Sequence, residues 1–537
     1  MSQRIPEEQR ALVMQGGGAL GAYEAGVFKA LYERFIKPSN QSFDIVAGVS
    51  IGAVNASILV NYVTKNNNKW DGSAETLYNF WDDISTSPSL SNPISWPLYL
   101  VDNNPFLASG LAFQEFFRTA LAGYYRFFTG SIKTIWKLEW PYIPIWRGEE
   151  WPPVRWISWQ QNWKEELPYI LYYFLWPDNY GPVALHEAAR RYYSWRYFML
   201  TGAPNVYTSF IPQLDLKFFD LFNPHSVLYR VSNDSLIRSI KKYWHPNAPP
   251  LRTNIDANQP RLLLVSVDLQ NCASATFDSY EKGKDEYGDA VCRTVYGEDK
   301  TKYRIEYPEG IGMEHLMTSM AFHSRHKYPT LEVKQESNAH SKPRPFWDAI
   351  YLSNTPLREL LQAHRDYWHG VRGLSERIPK LKVYMVDLYP TVEKGIPEGF
   401  DEINDRQYDV LFHDKTRYDE KVAHLVTDYI NMGKRMRELL DDAINTVEDQ
   451  NRKETLTKRF EDILNTEGKS RTRDHGKKRE YKELLEGHFE VEVFRIERSE
   501  DHETDIYGKA FDFSRRTIDQ LRIEGYKDAN NSKDIEW

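Results

Sequence analysis

The chain has 537 residues, of which 41% are hydrophobic and 27% are charged, a composition typical of soluble globular proteins. This length is too great for a single hydrophobic core and predicts two to four domains. A net charge of −8 argues against nucleic-acid binding, and the presence of only two cysteines, Cys272 and Cys292, argues against a disulfide framework and indicates a reducing compartment.

The N-terminal segment and the apolar runs of the chain indicate where in the cell the protein is expected. The first ten residues contain no apolar core, so no secretory signal peptide is expected. The longest apolar run covers residues 169–176 and is far shorter than the roughly 18 residues of a membrane-spanning helix. These features predict a cytoplasmic protein, with peripheral membrane association as the alternative.

A glycine-rich loop follows the first predicted strand. Residues 11–15 form an apolar strand that runs into the glycines at 16–18, and a helical pattern covers residues 22–31. The loop matches the GxGxxG pattern of dinucleotide sites, which also needs an acidic residue at the end of the second strand. Asp44 stands at the start of that strand instead. The pattern therefore favours the other use of bare glycine backbone, an oxyanion hole.

The second predicted strand and its helix enclose a sequence of the form GxSxG. Residues 44–47 are an apolar strand and residues 51–63 are compatible with a helix, so Ser50 falls on the sharp turn between them. Gly48 and Gly52 suit that turn, because a Cβ on either side of a strained serine would crowd it. The serine hydroxyl then lies at the positive end of the helix dipole. An ordinary strand–helix turn is the alternative for this motif alone.

A long insertion, residues 65–259, separates the helix after Ser50 from the next predicted strand, and it is too long for a loop. We expect it to form a helical cap. Of the 85 residues from 96 to 180, 24 are Phe, Tyr or Trp, twice the chain average. Such rings suit contact with a membrane interface, but packing in the core of the cap is the favoured interpretation.

The later strand candidates alternate with helical stretches, which indicates an α/β sheet with helices on both faces. These candidates are residues 262–268, 274–278, 381–388 and 489–494. We expect Ser50 and the acid that activates it each to follow a strand and to meet at the carboxyl edge of the sheet. The predicted units are a catalytic core at 8–64 and 260–395, the cap at 65–259, and a mostly helical extension with an edge strand at 396–537.

The 14 histidines include no obvious base for Ser50. His315, His323 and His326 cluster in sequence, but their spacing matches no common metal-ligand pattern. A surface or loop position is expected for all three.

Three motifs in a fixed order resemble those of the patatin-like phospholipases. They are the glycine loop at 16–21, the serine motif at 48–52 with Asn55 one turn later, and an aspartate motif at 348–350 followed by Asn-x-Pro at 354–356. The resemblance implies an α/β/α sandwich with a mostly parallel central sheet. It also implies a Ser–Asp dyad that uses no histidine.

The resemblance carries the functional roles onto particular residues. Ser50 is the implied nucleophile, and Asp348 is the implied base that takes its proton directly. The implied oxyanion donors are the backbone N–H groups of Gly16, Gly17, Gly18 and Ile51, and the supporting glycines are Gly21, Gly48 and Gly52.

Two departures from the family pattern support an alternative. Ala349 and Ile350 stand where the family has glycine and a second small residue, and Leu20 stands where many members carry Arg or Lys. An alanine disfavours a left-handed backbone by about 1 kcal/mol or more. The alternative is therefore a catalytically weak or silent lipid-binding or scaffold protein on the same fold.

The resemblance as a whole implies a serine acyl hydrolase that cleaves carboxylic esters of lipids or phospholipids, of the phospholipase A or lysophospholipase type. No metal or cofactor is expected, because a serine and a carboxylate suffice for this chemistry. No nucleic-acid partner is expected, and membrane contact is assigned to the aromatic cap. The sequence does not encode the acyl position, the chain length or the oligomeric state.

Overall fold

In the computed structural model of the chain, helices cover both faces of a mixed β-sheet that contains ten of the described strands. The residues that the structure describes are 5–39, 41–86, 191, 194–195, 198, 202–203, 205–208, 233–244, 250–282, 291–297, 302–322, 328–335, 338–392, 396, 400–471, 478–498, 508–532 and 535.

The described strands are β1 Glu8–Met14, β2 Ile45–Gly48, β3 Gly202–Ala203, β4 Tyr207–Thr208, β5 Arg261–Asp268, β6 Ala273–Asp278, β7 Arg293–Tyr296, β8 Tyr303–Glu306, β9 Thr330–Gln335, β10 Asn338–Asp348, β11 Lys380–Asp387, β12 Glu467–Arg471, β13 Lys478–Glu480 and β14 Val491–Glu497.

The described α-helices are α1 Gly21–Leu31, α2 Lys37–Ser39, α3 Ile51–Lys65, α4 Ser73–Ile84, α5 Asp234–Trp244, α6 Met313–Thr318, α7 Leu357–Arg365, α8 Phe400–Phe412, α9 Arg417–Asn445, α10 Gln450–Leu464, α11 Tyr481–Leu484 and α12 Arg515–Asn531. Short 3₁₀ turns cover Gly18–Leu20, Ile255–Ala257, Ala349–Tyr351 and Lys509–Phe511, and π-helical turns cover Tyr32–Ile36 and Asp366–Val371.

The centre of the sheet is parallel. Strands β14, β11, β1, β2 and β5 lie side by side in that order, and each pair is parallel. The strands β10, β9, β8 and β7 continue the sheet in antiparallel pairs, and β6 pairs with β5. The prediction of an α/β fold with a mostly parallel central sheet is confirmed.

The two faces of the sheet bury alternate residues of each strand, which makes three layers. In β1, Leu12 and Met14 point into a core shared with α1, α3 and α4, whereas Ala11 and Val13 point into a second core shared with α7. Successive side chains of a strand alternate between faces, so a strand covered on both sides reads as a continuous apolar run. This explains why the sequence pattern located β1, β2, β5 and β11 to within a few residues. The position of β6 was also predicted, and β14 was predicted from the alternation typical of a half-exposed edge strand.

The antiparallel strands β7 to β10 were absent from the sequence predictions. β9 nevertheless alternates strictly, with Leu331 and Val333 buried between exposed residues. That alternation is the signal of a half-exposed strand, and it could have located β9. β10 ends at Asp348, and its polar composition gives no apolar pattern from which a strand could be predicted.

Segments assigned to the predicted cap and to the predicted C-terminal extension contribute to the sheet and to the helices that cover it. α4 lies within the predicted cap, yet its Leu77, Phe80 and Trp81 are fully buried in the core that also contains α1 and α3. β14 lies within the predicted C-terminal extension and forms one edge of the sheet. The aromatic segment at 96–180 lies outside the described residues, so the interfacial role of the cap stays a prediction.

Among the described helices, none combines the length and the apolar character needed to cross a membrane. Cys272 and Cys292 are both free thiols, the first exposed and the second buried.

The C-terminal helix α12 packs against α1 through two glycines. A Cβ at Gly26 of α1 would lie 2.0 Å from the carbonyl oxygen of Arg522, and a Cβ at Gly525 of α12 would lie 2.1 Å from that of Tyr23. The backbones of the two helices are therefore in direct contact. Since α1 follows the glycine loop, this contact fixes one side of the region around residues 16–21.

We expect Gly525→Ala to destabilise the whole catalytic core, because its Cβ has no space unless two helices separate. Overpacking of this kind typically costs about 1–3 kcal/mol, and the loss is measured as a shift in the urea or thermal unfolding midpoint. Gly370→Ala is the matched control, because a Cβ there meets nothing within 4 Å. Equal midpoints for the two variants would show that α12 does not pack as described.

Candidate active site

Strand β5 brings the carboxyl ends of two other strands together. Gly48 at the end of β2 pairs with Leu264, and Asp348 at the end of β10 pairs with Ser266. β6 occupies the other edge of β5 along this same stretch, so β2 and β10 share one edge and meet end to end. The expectation that Asp348 follows a strand holds, but that strand is antiparallel and enters from the carboxyl edge of the parallel strands.

Ser50 lies on a strained turn between β2 and α3. Its φ of 55° and ψ of −128° are far from the ordinary strand and helix regions. A Cβ at Gly48 would lie 2.3 Å from the Gly52 carbonyl oxygen, and a Cβ at Gly52 would lie 2.6 Å from that of Met14. Backbone packing around the turn therefore demands glycine at both positions. The turn presents Ser50 at the N-terminus of α3.

The backbone of Ser50 is tied to β5 through Ser319, a residue that the sequence analysis did not single out. The Ser50 N–H donates to Ser319 Oγ at 2.9 Å, and that hydroxyl donates to the Val265 carbonyl at 2.7 Å. Ser319 directly follows α6 and is fully buried. No local motif marks this serine, so only the tertiary contact identifies it as a residue that positions the turn.

The histidine cluster is not placed as expected. His315 lies in α6 and is buried, where its ring packs at 5.1 Å from Phe277 and 4.8 Å from Tyr307. The expectation of a surface or loop position is therefore wrong for His315, because its imidazole ring packs against aromatic rings of the core. His323 and His326 lie outside the described residues. The described residues contain no group of three potential ligands that could hold a metal ion.

Asp348 is fully buried where β10 ends. Its Oδ1 accepts the Ile350 N–H at 3.0 Å, and its own N–H donates to the Ala321 carbonyl at 3.3 Å. Its Oδ2 has no hydrogen-bond partner among the described residues. One carboxylate oxygen is thus held in place, and the other is free to accept a proton.

The pKa of Asp348 is raised to about 7, chiefly because burial penalises the charged form. The Ser50 hydroxyl and the Ile350 N–H both lower the pKa, by less than burial raises it. Ser50 therefore acts on the carboxylate at short range, although its hydroxyl does not reach the geometry of a full hydrogen bond with Oδ2. Such contacts are often long without substrate and tighten when it binds.

The glycine loop lies against Ser50 and the segment after Asp348. A Cβ at Gly16 would lie 2.9 Å from both Ser50 Cβ and Asn354 Oδ1. The Gly16 N–H donates to Asn354 Oδ1 at 2.9 Å, and Asn354 Nδ2 donates to the Phe412 carbonyl at 2.6 Å. This amide is therefore engaged in the present structure. Asn354 belongs to the Asn-x-Pro motif, which gave the sequence signal for it.

Three other expected donors are open. Within the described part of the chain, no acceptor takes the N–H of Gly17, Gly18 or Ile51. Gly18 has a φ of +56°, and a Cβ there would lie 2.3 Å from the Ala510 carbonyl oxygen. The C-terminal segment thus supports the loop from outside, and glycine is required at this position.

Gly21 and Asn55 support the turn from behind. A Cβ at Gly21 would lie 2.8 Å from a side-chain carbon of Ile51. The Asn55 amide nitrogen donates to the Gly21 carbonyl at 3.0 Å and to Glu24 Oε2 at 2.8 Å, and its oxygen accepts from Trp81 Nε1 at 3.1 Å. Burial raises the pKa of Glu24 well above its usual range. These contacts join the glycine loop to the helix that begins after Ser50.

An aromatic cluster lies beside Asp348. The rings of Phe322 and Tyr351 stack with centroids 5.6 Å apart, and both pack against Phe412 at 6.4 and 6.1 Å. Tyr351 and its neighbour Leu352 are about half exposed. This surface offers apolar contact beside Asp348.

The substitution of alanine after Asp348 causes no backbone strain. Ala349 begins a 3₁₀ turn in which the Ile350 N–H is capped by the Asp348 side chain, and Ala349 is absent from the described residues with positive φ. The alanine at this position therefore carries no penalty of the kind that motivated the silent-scaffold alternative.

Asp44, at the start of the second strand, has a structural contact, because its Oδ2 accepts the Arg10 N–H at 2.7 Å.

Comparison with known proteins gives one family match. A family model described as patatin-like phospholipase matches residues 12–361, well over half of the chain. No match was found among curated proteins. Of the solved structures, VipD from Legionella pneumophila is similar at 10% identity over 98% of this chain and 67% of that chain, with a TM-score of 0.28. A TM-score this low carries no argument.

We expect Asp348→Asn to stabilise the protein above pH 7. The pKa of Asp348 is about 7 in the folded protein, against an ordinary value of 3.8 in the unfolded chain. Below pH 3.8 the carboxyl is protonated in both the folded and the unfolded state, so it does not lower the free energy of unfolding. The cost grows as pH rises and reaches about 4 kcal/mol above the folded pKa. Asparagine removes this cost and keeps the oxygen that Ile350 binds. Thermal melts at pH 8 and pH 5 should show a larger gain at pH 8.

The control for this experiment is Asp256→Asn. Asp256 is mostly exposed, and its pKa is lowered by hydrogen bonds from Arg372. Its replacement should leave the melting temperature unchanged or slightly lower at pH 8. A loss of stability in Asp348→Asn at pH 8 would contradict the raised pKa.

Proposed function

Because the chain belongs to the patatin-like phospholipase family, we propose that it hydrolyses carboxylic esters of lipids with Ser50 as nucleophile and Asp348 as base. The observation that carries the proposal is a serine on a strained turn beside a buried carboxylate, one oxygen of which has no hydrogen-bond partner among the described residues. Membership in this family supports lipid ester hydrolysis in general. The assignment of the two residues rests on their geometry.

In the proposed first step, Asp348 Oδ2 takes the proton of the Ser50 hydroxyl while Oγ bonds to the ester carbonyl carbon. The carbonyl electron pair moves onto its oxygen, which becomes the oxyanion. The N–H groups of Gly17, Gly18 and Ile51 are the proposed donors, since no described acceptor takes them. Each such donor is typically worth about 10²–10³ in rate.

In the proposed second step, the tetrahedral intermediate expels the alcohol of the lipid, and Asp348 returns the proton to that leaving oxygen. Water then attacks the carbonyl carbon of the acyl-serine while Asp348 takes one of the water protons. The bond between Ser50 Oγ and the acyl carbon breaks, Asp348 returns the proton to Oγ, and the free fatty acid departs. One carboxylate serves both half-reactions because it alternates between base and acid. A pKa of about 7 suits this double use at neutral pH.

The proposed substrate class is a lipid or phospholipid with a long acyl chain. Its support is the aromatic surface formed by Tyr351 and Phe322 beside Asp348, which the buried Phe412 packs against from behind. Apolar contact of this kind favours an acyl chain over a small polar ester. The metal-independent mechanism, the cytoplasmic location and the membrane contact of the cap stay predictions.

We expect Ser50→Ala and Asp348→Asn each to lower the rate on a short acyl ester by several orders of magnitude. Stoichiometric labelling of the wild type by a fluorophosphonate, lost in Ser50→Ala, reports the nucleophile separately. Ser57→Ala is the matched control, because Ser57 is a buried serine on the same helix whose hydroxyl has no partner among the described residues. Full activity in Ser50→Ala contradicts the proposal. An unlabelled wild type that binds liposomes supports the scaffold alternative.

We expect the pH profile of kcat/KM to report Asp348. The base must be ionised, so kcat/KM should fall about tenfold for each pH unit below the pKa of about 7 and level off above it. The measurement uses a soluble ester from pH 5 to 9, with circular dichroism at each pH to exclude unfolding. A profile that stays flat down to pH 5 would rule out Asp348 as the base with this pKa.

A further inference from the structure

The longest helix in the described part of the chain carries an apolar stripe that no described residue covers. α9 has 29 residues, and none of them is buried. Apolar residues occupy every a and d position of a seven-residue repeat, labelled a to g, along this helix. The a positions are Val422, Tyr429, Met436 and Ala443. The d positions are Tyr418, Leu425, Met432 and Leu439.

An apolar a and d pattern sustained over four repeats is typical of a helix that pairs with a second helix. Here both ends of the stripe are strongly exposed, Tyr418 at 75% and Leu439 at 70%. A continuous apolar stripe of this length on a protein surface marks an interaction site. The catalytic proposal makes no use of it.

The described contacts of α9 with the remainder of the protein lie outside its a and d rows, and one of them reaches the flank of the stripe, where a Cβ at the e-position Gly433 would lie 2.9 Å from Leu485 Cδ2. Arg495 Nη1 donates to Glu420 Oε2 at 2.6 Å, and His424 Nε2 lies 3.2 Å from the Val491 carbonyl oxygen. These last two contacts join α9 to the edge strand β14. Positions 420 and 424 lie outside the a and d rows of the helix. The helix is therefore held by the sheet edge while its stripe points away from it.

The g positions beside the stripe alternate in charge. They are Lys421, Asp428, Arg435 and Asp442, and all four are exposed. Among the described residues, none of the four takes part in a salt bridge. Residues at e and g flank the seam of a helix pair and set the choice and direction of the partner.

This charge pattern distinguishes two directions of self-pairing. In a parallel pair, g residues face the e residues of the partner, and three of the four e positions here are Val426, Gly433 and Leu440. Such a pair leaves the charges unmatched. In an antiparallel pair, g residues face g residues, and the alternation places every lysine or arginine opposite an aspartate.

We propose that α9 binds the same helix of a second copy of this chain, antiparallel about a two-fold axis. Lys421 then faces the partner's Asp442, and Asp428 faces the partner's Arg435. Each contact occurs twice by symmetry, as in any two-fold interface. The pairing is independent of the hydrolase proposal.

The same arrangement matches the apolar layers. Val422 packs on the partner's Leu439, and Leu425 packs on the partner's Met436. At the centre, Tyr429 packs on the partner's Met432, a contact that sulfur and aromatic groups favour. The seam from Tyr418 to Ala443 spans roughly 38 Å at 1.5 Å per residue.

The test uses two charge-reversal variants of the full chain in sedimentation equilibrium. The double variant K421E/R435E makes every g position acidic, and D428K/D442K makes every g position basic. All four side chains are exposed, so neither variant should disturb folding, which circular dichroism checks. We expect the wild type to show twice the chain mass of 63.1 kDa.

Each variant alone should raise the dimer dissociation constant at least tenfold, because four attractive contacts become repulsive. An equimolar mixture of the two should restore the wild-type constant, since every g contact is again between opposite charges. A monomeric wild type at tens of micromolar would overturn the proposal and leave the stripe to another protein. A dimer insensitive to both variants, or one that mixing does not restore, would also overturn it.

Discussion

One edge of one strand determines the candidate active site. β5 pairs with β2 up to Leu264 and with β10 from Ser266 onward, while β6 covers its opposite edge. The two strands run in opposite directions and end at the same place. Ser50, which follows the end of β2, and Asp348, the last residue of β10, therefore lie close together. Ser319 reinforces the same strand, because its hydroxyl bridges the Ser50 N–H and the Val265 carbonyl. A shift in register at β5 would separate the two residues.

In the proposed mechanism, burial of Asp348 replaces what a histidine supplies in other serine hydrolases. A carboxylate in water is too weak a base at neutral pH, but desolvation raises the pKa of Asp348 to about 7. This tuning costs stability, since the fold must hold a carboxyl that becomes charged in the working pH range. The hydrogen bond from Ile350 orients the group without lowering its pKa to the ordinary value.

The C-terminal part of the chain packs into the sheet and against the glycine loop of the candidate active site. β14 closes one edge of the sheet, α12 touches α1 through Gly26 and Gly525, and Ala510 lies against Gly18. The glycine loop is therefore shaped from both sides, by residues near the N-terminus and by residues about 500 positions later. α9 differs from these elements, because the sheet holds it by one face and leaves its apolar face open.

The sequence by itself determined the features whose causes are local. Apolar runs covered on both faces located the central strands, an alternating pattern located the edge strand β14, and the glycines around Ser50 indicated a turn that only glycine permits. The order of three motifs was enough to predict the family. Tertiary structure decided what depends on distant pairing: the antiparallel approach of Asp348, the role of Ser319 and the engagement of Gly16 by Asn354. It also decided the pKa of Asp348, because desolvation is a property of everything packed around a group and not of its neighbours in sequence.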